Sequence, residues 1–317
     1  MADMTKTHSS QTLPFLVEEP HRVTLKRGVL EDSDRDNRPV PYKLYLPEGG
    51  LAKKPLIVWS HGLGGTRDGA GFIARALAEN DFAVLHIQHR GTDSILWEGK
   101  EGHPWDNIRK SHIPRSATLN RFMDVPFILD NLNKIEGSEW IDPARIGMSG
   151  HSFGALTTQV MAGQLFPDEN DNLVSFKEDR FQAGMLYSFV PMGHLYKGDP
   201  TALFQSMDLP LMYMTGTKDD SPVEHFDYRA RLPVWDHSGS PEKHLLILEG
   251  GDHMVYNGSR GQLEDNPLRE THEHMITALS LAYWNAKLKN DESAMAFLEK
   301  GVHAYLGDAG TFRSETA

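Results

Sequence analysis

Three stretches of the chain carry residues able to do nucleophilic chemistry, and the first is Gly150-His151-Ser152-Phe153-Gly154. It follows the apolar alternation Arg145-Ile146-Gly147-Met148 and runs into Ala155-Leu156-Thr157-Thr158-Gln159-Val160-Met161, an order that reads strand, sharp turn, helix. A serine hydroxyl is a weak nucleophile. It reacts when it stands clear of the backbone beside a base, with N–H donors aimed at the oxygen that becomes negative. A strand-to-helix elbow lifts Ser152 above the sheet edge and points helix N-terminal amides, Phe153's foremost, at that oxygen, while the flanking glycines leave room for the turn. Ser149 also lies two residues after a glycine, but inside the strand, and reads as a buried, hydrogen-bonded serine.

A base and an acid are expected downstream, each just past a strand, in the order acid and then histidine. Leu211-Met212-Tyr213-Met214 runs into Thr215-Gly216-Thr217-Lys218-Asp219-Asp220, and Leu245-Leu246-Ile247-Leu248 runs into Glu249-Gly250-Gly251-Asp252-His253. Of the 16 histidines, His253 alone lies beyond the acid and directly past an apolar run, whereas His272, His274 and His303 fall within helical patterns. Asp219 is preferred to Asp220 as the carboxylate because it closes the Gly-x-x-Asp turn. In this scheme Ser152 attacks a carbonyl carbon, His253 takes its proton and returns it to the leaving group, and the carboxylate holds the imidazole tautomer and stabilises its cation. The second oxyanion donor is expected from His61-Gly62-Leu63-Gly64-Gly65, with the Leu63 amide first and the Gly62 amide second. His61, His86, His89, His103 and His112 lack a tight ligand spacing, so no metal site is expected and His61 reads as a loop-stabilising hydrogen bonder.

These segments need a frame. Leu56-Ile57-Val58-Trp59 and Phe82-Ala83-Val84-Leu85 are continuous apolar runs, as expected of strands covered on both faces. They alternate with amphipathic helices near 68–80 and 120–134, then with the elbow strand and with strands at 183–187, 209–214 and 244–248. Two early strands, Arg22–Leu25 and Pro41–Leu46, precede them, and helices over about 266–289 and 293–306 close the chain. The pattern predicts an α/β fold built on a mostly parallel, doubly covered sheet, in which ligands lie beyond the carboxyl ends of the strands. Residues 1–19 read as a loosely held arm, 20–306 as one domain and 307–317 as a frayed tail. Asp32, Asp34 and Asp36 have calcium-loop spacing. Asn37 replaces the glycine and Lys43 the final glutamate of such a loop, so a solvated hairpin loop is expected.

Composition narrows the function classes. A formal net charge of −12 over 317 residues, with no visible Lys/Arg cluster, argues against nucleic acid as partner. The absence of cysteine removes disulfides, thiolate metal sites and a cysteine nucleophile. No stretch is apolar enough for a signal core or a membrane span, so a cytoplasmic location is the expectation.

Taken in order, His61-Gly62-Leu63-Gly64-Gly65, Gly150-His151-Ser152-Phe153-Gly154, Gly216-Thr217-Lys218-Asp219 and Gly251-Asp252-His253 resemble the α/β-hydrolases. The nearest likeness is to the bacterial dienelactone-hydrolase-like and platelet-activating-factor-acetylhydrolase-like branch, which is also similar to polyester-cleaving cutinases; it runs from about Val40 to Leu281. Dienelactone hydrolases proper carry cysteine where this chain has Ser152, so the lactone activity is not carried over. The polyester hydrolases are exported and nothing here directs export. The resemblance implies hydrolysis of carboxylic esters through an acyl-enzyme, without metal or organic cofactor.

The acidic surface disfavours anionic substrates, so neutral small-molecule esters with short or medium acyl groups are expected. Trp97, Trp105, Met192, His194, Tyr196 and Tyr256 lie on segments that should border the strand ends and are the candidate pocket residues. A peptidase, an acyltransferase and a non-catalytic binding protein remain open on the same residues.

Overall fold

The computed structural model describes residues 13–50, 52–192, 196–258 and 263–316. Strands β1 (Val23–Asp32) and β2 (Arg38–Pro47) form an antiparallel pair whose turn is a single 3₁₀ turn over Ser33–Arg35. Asp32 is committed there, accepting from the Asp34 amide and pairing with Arg35 Nε. Then come β3 (Lys54–Ser60), α1 (Gly71–Glu79), β4 (Ala83–Ile87), α2 (Pro104–Lys110) and α3 (Arg115–Asp130). Strand β5 (Ile141–His151) leads through Ser152 into α4 (Phe153–Met161), followed by the small hairpin β6 (Phe166–Pro167) and β7 (Leu173–Val174). The rest comprises β8 (Phe181–Tyr187), α5 (Thr201–Phe204), β9 (Leu211–Lys218), α6 (Leu232–Asp236), β10 (Glu242–Asp252), α7 (Arg269–Lys289), α8 (Glu292–Ala296), α9 (Val302–Leu306) and β11 (Gly310–Thr316).

Among the described residues the main sheet has nine strands in the order β1-β2-β4-β3-β5-β8-β9-β10-β11. From β4 to β10 every neighbour is parallel, and the antiparallel pairs lie at the two edges. Both faces are covered, which explains the continuous apolar runs. Alternate residues of one strand enter opposite layers: Ile57 and Trp59 pack with α1 and α7, whereas Leu56 and Val58 pack with α3 and α4. A third, smaller cluster of Leu96, Trp105, Ile108 and Met254 lies apart from both layers. No helix among the described residues is long and apolar enough to cross a membrane.

The fold corrects the reading of both termini. Residues 1–12 lie outside the described residues, but from residue 13 the arm is docked, with Leu13 and Phe15 buried and the Phe15 ring 5.2 Å from that of Phe297. The expected frayed tail is β11, paired antiparallel with β10, and Phe312 stacks on His244 at 5.7 Å. A tail whose one large apolar residue is Phe312 has no strand pattern of its own; the free edge of β10 supplies the partner groups. The last helix is likewise interrupted by a π turn over Phe297–Gly301 between α8 and α9.

Candidate active site

Because β3, β5, β9 and β10 run parallel, the residues just past their carboxyl ends gather at one edge of the sheet. Ser152 follows β5 with φ 55° and ψ −118°, a conformation that non-glycine residues adopt only when their surroundings impose it. Its amide donates to Tyr187 O in the neighbouring strand at 2.9 Å, and its carbonyl accepts from Leu156 in the first turn of α4 at 3.1 Å. The two flanking glycines are required by close approach of backbone. A Cβ on Gly154 would lie 1.9 Å from Ser60 O, and one on Gly150 would lie 2.2 Å from Gly154 O. Ser149 lies buried in the strand and donates to Val58 O.

The two carboxylates after β9 part company. Asp219 is fully buried and its Oδ1 accepts from His253 Nδ1 at 2.7 Å, while Asp220 is exposed. Thr215 Oγ1 donates to Asp219 Oδ2 at 2.8 Å, and the buried Arg231 donates through Nη2 to Oδ1 at 2.9 Å. Burial pushes the Asp219 carboxyl up; the charge of Arg231, and after it His253, pulls it down further, so that it rests below the usual carboxylate range. Arg231 Nη2 stands 3.2 Å from His253 Nδ1. Two protonated nitrogens do not bond to each other; they converge on the same carboxylate oxygen.

His151 supports His253 from below, donating through Nε2 to the His253 carbonyl at 2.7 Å with the two rings 4.8 Å apart. Burial pushes His151 down to about 3, so it is neutral. Ser152 and His253 line the same cavity, and in this structure they make no hydrogen bond with each other. Such contacts are often loose until a substrate is bound.

The loop after β3 is held through its other groups. Gly64 N donates to Thr92 O and Gly65 N to Gly62 O, whereas the amides of Leu63 and Phe153 have no acceptor among the described residues. His61 Nδ1 donates to Gly62 O, and its Nε2 accepts from the His89 amide. His89 bridges Asp124 Oδ2 and Ser60 Oγ, and His86 donates to Arg67 O. Burial keeps His86 and His89 neutral, at about 3 and about 4. His103 caps α2, accepting from the Trp105 amide, and His112 is exposed. No group of three or more His, Cys, Asp or Glu among the described residues is arranged to hold a metal ion.

The cavity in front of Ser152 has a volume of about 310 Å³. Trp97, Trp105, Ile108, Val223 and Met254 are among its apolar lining, Thr66 and Asn257 among its polar lining, and no Asp, Glu, Lys or Arg side chain lines it among the described residues. Helix α2 contributes Pro104, Trp105 and Ile108 to this lining. Arg109 Nε fastens it to Pro222 O, beyond Asp219, and Trp97 Nε1 donates to Gly64 O.

Of the expected pocket residues, Trp97 and Trp105 line this cavity and three do not. Tyr256 is fully buried beneath His151, with ring centroids 5.9 Å apart, and Met192 is buried in the core layer on the α3/α4 side. Tyr196 packs against that same layer, and His194 lies outside the described residues. Met192 and Tyr256 do lie in segments close to strand ends, but apolar side chains beside a core are drawn into it. Sequence reasoning missed Arg231, Ile108 and Val223. It also missed Arg121, which had left a signal: a charge at the same helical face as Val125 and Ile128 marks a buried polar contact. No protein-family model matches the chain.

Proposed function

We propose that the protein hydrolyses neutral carboxylic esters through an acyl-enzyme on Ser152. The observation that carries this reading is the buried Asp219 bonded to His253 Nδ1 at 2.7 Å, beside a cavity that His253 shares with a serine held at φ 55°. The strand order, with the serine after β5, the acid after β9 and the histidine after β10, supports an α/β-hydrolase arrangement. An isolated serine at the end of a strand would need neither the strained turn nor a buried carboxylate two strands away.

The chemistry follows from these positions. Ser152 Oγ adds to the ester carbonyl as His253 Nε2 accepts its proton, and the unengaged amides of Leu63 and Phe153 receive the oxyanion. Asp219 offsets the imidazolium charge. His253 then protonates the departing alcohol, and a water activated by the same nitrogen releases the acid. The uncharged, largely apolar wall favours a neutral ester of short or medium acyl length, with the chain along Trp105 and Ile108.

A dialkyl fluorophosphate is expected to label Ser152 at one equivalent per chain, located by peptide mass spectrometry, and to abolish p-nitrophenyl ester hydrolysis in proportion. Labelling elsewhere with activity retained would refute the assignment. Parallel assays with matched amides and with added alcohol acceptors separate an esterase from a peptidase or an acyltransferase. Across a chain-length series, Trp105→Ala is expected to move the optimum to longer acyl groups by enlarging the cavity that Trp105 lines; an unmoved optimum would place the acyl chain elsewhere.

A further inference from the structure

An oxyanion hole made from Leu63 and Phe153 takes its donors from two segments 90 positions apart in the chain; they meet where β3 pairs with β5, and their separation is further fixed by any side chain that bonds to both. Arg121 does. It lies fully buried on α3, its guanidinium 4.6 Å from the centre of the Phe153 ring. Its Nε donates to Thr157 Oγ1 at 2.7 Å in the first turns of α4, and Thr157 Oγ1 in turn donates to Phe153 O at 3.0 Å. On the other side, Nη2 donates to Ser60 Oγ at 2.8 Å and to the His61 carbonyl, where the Leu63 loop begins. Nη1 donates at 2.9 Å to Thr92 Oγ1, the residue whose carbonyl holds the Gly64 amide.

All these acceptors are neutral. Arg121 makes no ion pair among the described residues, and Asp124 is occupied by Arg35, Arg38 and His89. Burial pulls the guanidinium down to about 9 against the more distant charges of Asp124 and Asp93. A buried cation is costly unless it is paired or its N–H groups are hydrogen-bonded, as they are here by Thr157, Ser60, His61 and Thr92. The planar fork of a guanidinium can fasten several acceptors at fixed angles, which an ammonium cannot reproduce.

From this geometry we infer that Arg121 is the positioning residue of the oxyanion hole: it locks the loop after β3 to the elbow helix at the spacing that an oxyanion requires, with its positive charge beneath. The inference rests on the esterase reading above. It assigns Arg121 no contact with substrate, so its loss should weaken binding of the tetrahedral state and spare binding of the ground state.

An alkyl trifluoromethyl ketone tests this. Ser152 Oγ bonds to its carbonyl carbon, the hydroxyl proton passes to His253, and the carbonyl π pair becomes the oxyanion. The secondary alcohol of the same skeleton fills the cavity without forming an adduct. With active sites counted by fluorophosphate titration, Arg121→Lys is expected to weaken the ketone by about 10- to 100-fold, below the loss seen when a donor is deleted outright. kcat should fall by a similar factor, while KM and alcohol affinity stay within about twofold. Thr157→Val and Thr92→Val, which each remove one anchor, should weaken the ketone by several-fold, and they decide the matter if Arg121→Lys does not fold. Ketone and alcohol affinities that move together, or that both stay unchanged, would overturn the inference. Failure of the unaltered protein to form an adduct or turn over esters would overturn the esterase reading with it; an adduct whose affinity is insensitive to all three variants overturns this inference alone.

Discussion

Ser152→Ala is expected to lower kcat/KM for p-nitrophenyl esters by about 10⁶-fold, the order of loss when the nucleophile of a triad is removed. The fold should barely register the change. The Ser152 hydroxyl makes no hydrogen bond among the described residues, the backbone bonds to Tyr187 and from Leu156 remain, and alanine bears the positive φ no worse than serine. Ser152→Gly should be equally inactive yet more stable, by about 1 kcal/mol, because glycine relieves the strained conformation. Steady-state kinetics and thermal unfolding of the two variants check this together. Retention of more than a percent of the activity in Ser152→Ala would remove the nucleophile from the scheme.

Asp219→Asn is expected to lower kcat by about 10³- to 10⁴-fold, comparable to the loss of the carboxylate in a serine hydrolase triad, and also to destabilise the protein. Two donors, His253 Nδ1 and Arg231 Nη2, converge on Asp219 Oδ1. The guanidinium cannot accept, so it holds the asparagine oxygen in that position and turns the amide nitrogen to Thr215 Oγ1. The tautomer of His253 is then kept, and what is lost is the negative charge between an imidazolium and a guanidinium. Arg231, buried and without its counter-ion, should cost about 3–5 kcal/mol of folding stability. Adding Arg231→Met to Asp219→Asn should recover part of that stability and none of the activity. Denaturant titration and kcat on the same three proteins separate the two roles; stability restored together with activity would show that the carboxylate acts only as a structural ion pair.

The same pair has a pH signature. The folded-state value of Asp219 is depressed chiefly by Arg231, against burial. Its contribution to stability is therefore complete above the unfolded carboxylate value near 3.9 and is lost as pH falls through the lower folded value. Acid unfolding of Asp219→Asn should accordingly be less steep than that of the unaltered protein below about pH 4.

How much of this was legible depended on whether the relevant contacts were local. The elbow is written in five consecutive residues because a strand, a strained turn and a helix start are local, and Gly150 and Gly154 sit where any side chain would strike the backbone of Ser60 or of the elbow itself. The alternation of apolar runs with helical spacing disclosed the doubly covered sheet. It also disclosed which segments lie past strand ends, since the side-chain period is a property of the element. What could not be read locally was what each loop residue would pack against. Tyr256 and Met192 resemble Trp105 as large apolar residues outside the strands, yet the first two are packed away in the interior and Trp105 lines the cavity.

By itself, then, the sequence determined the chemistry on offer and the order in which the sheet would present it: Ser152, then an acid at 219 or 220, then His253. The tertiary structure decided the rest. It chose Asp219 by burying it against Arg231 and Thr215, docked β11 on the open edge of β10, and placed Arg121 between two loops distant in the chain. The reason is physical. Desolvation and hydrogen-bond pairing depend on groups brought together from separate strands, and no pattern within one segment encodes the partner that another segment will supply.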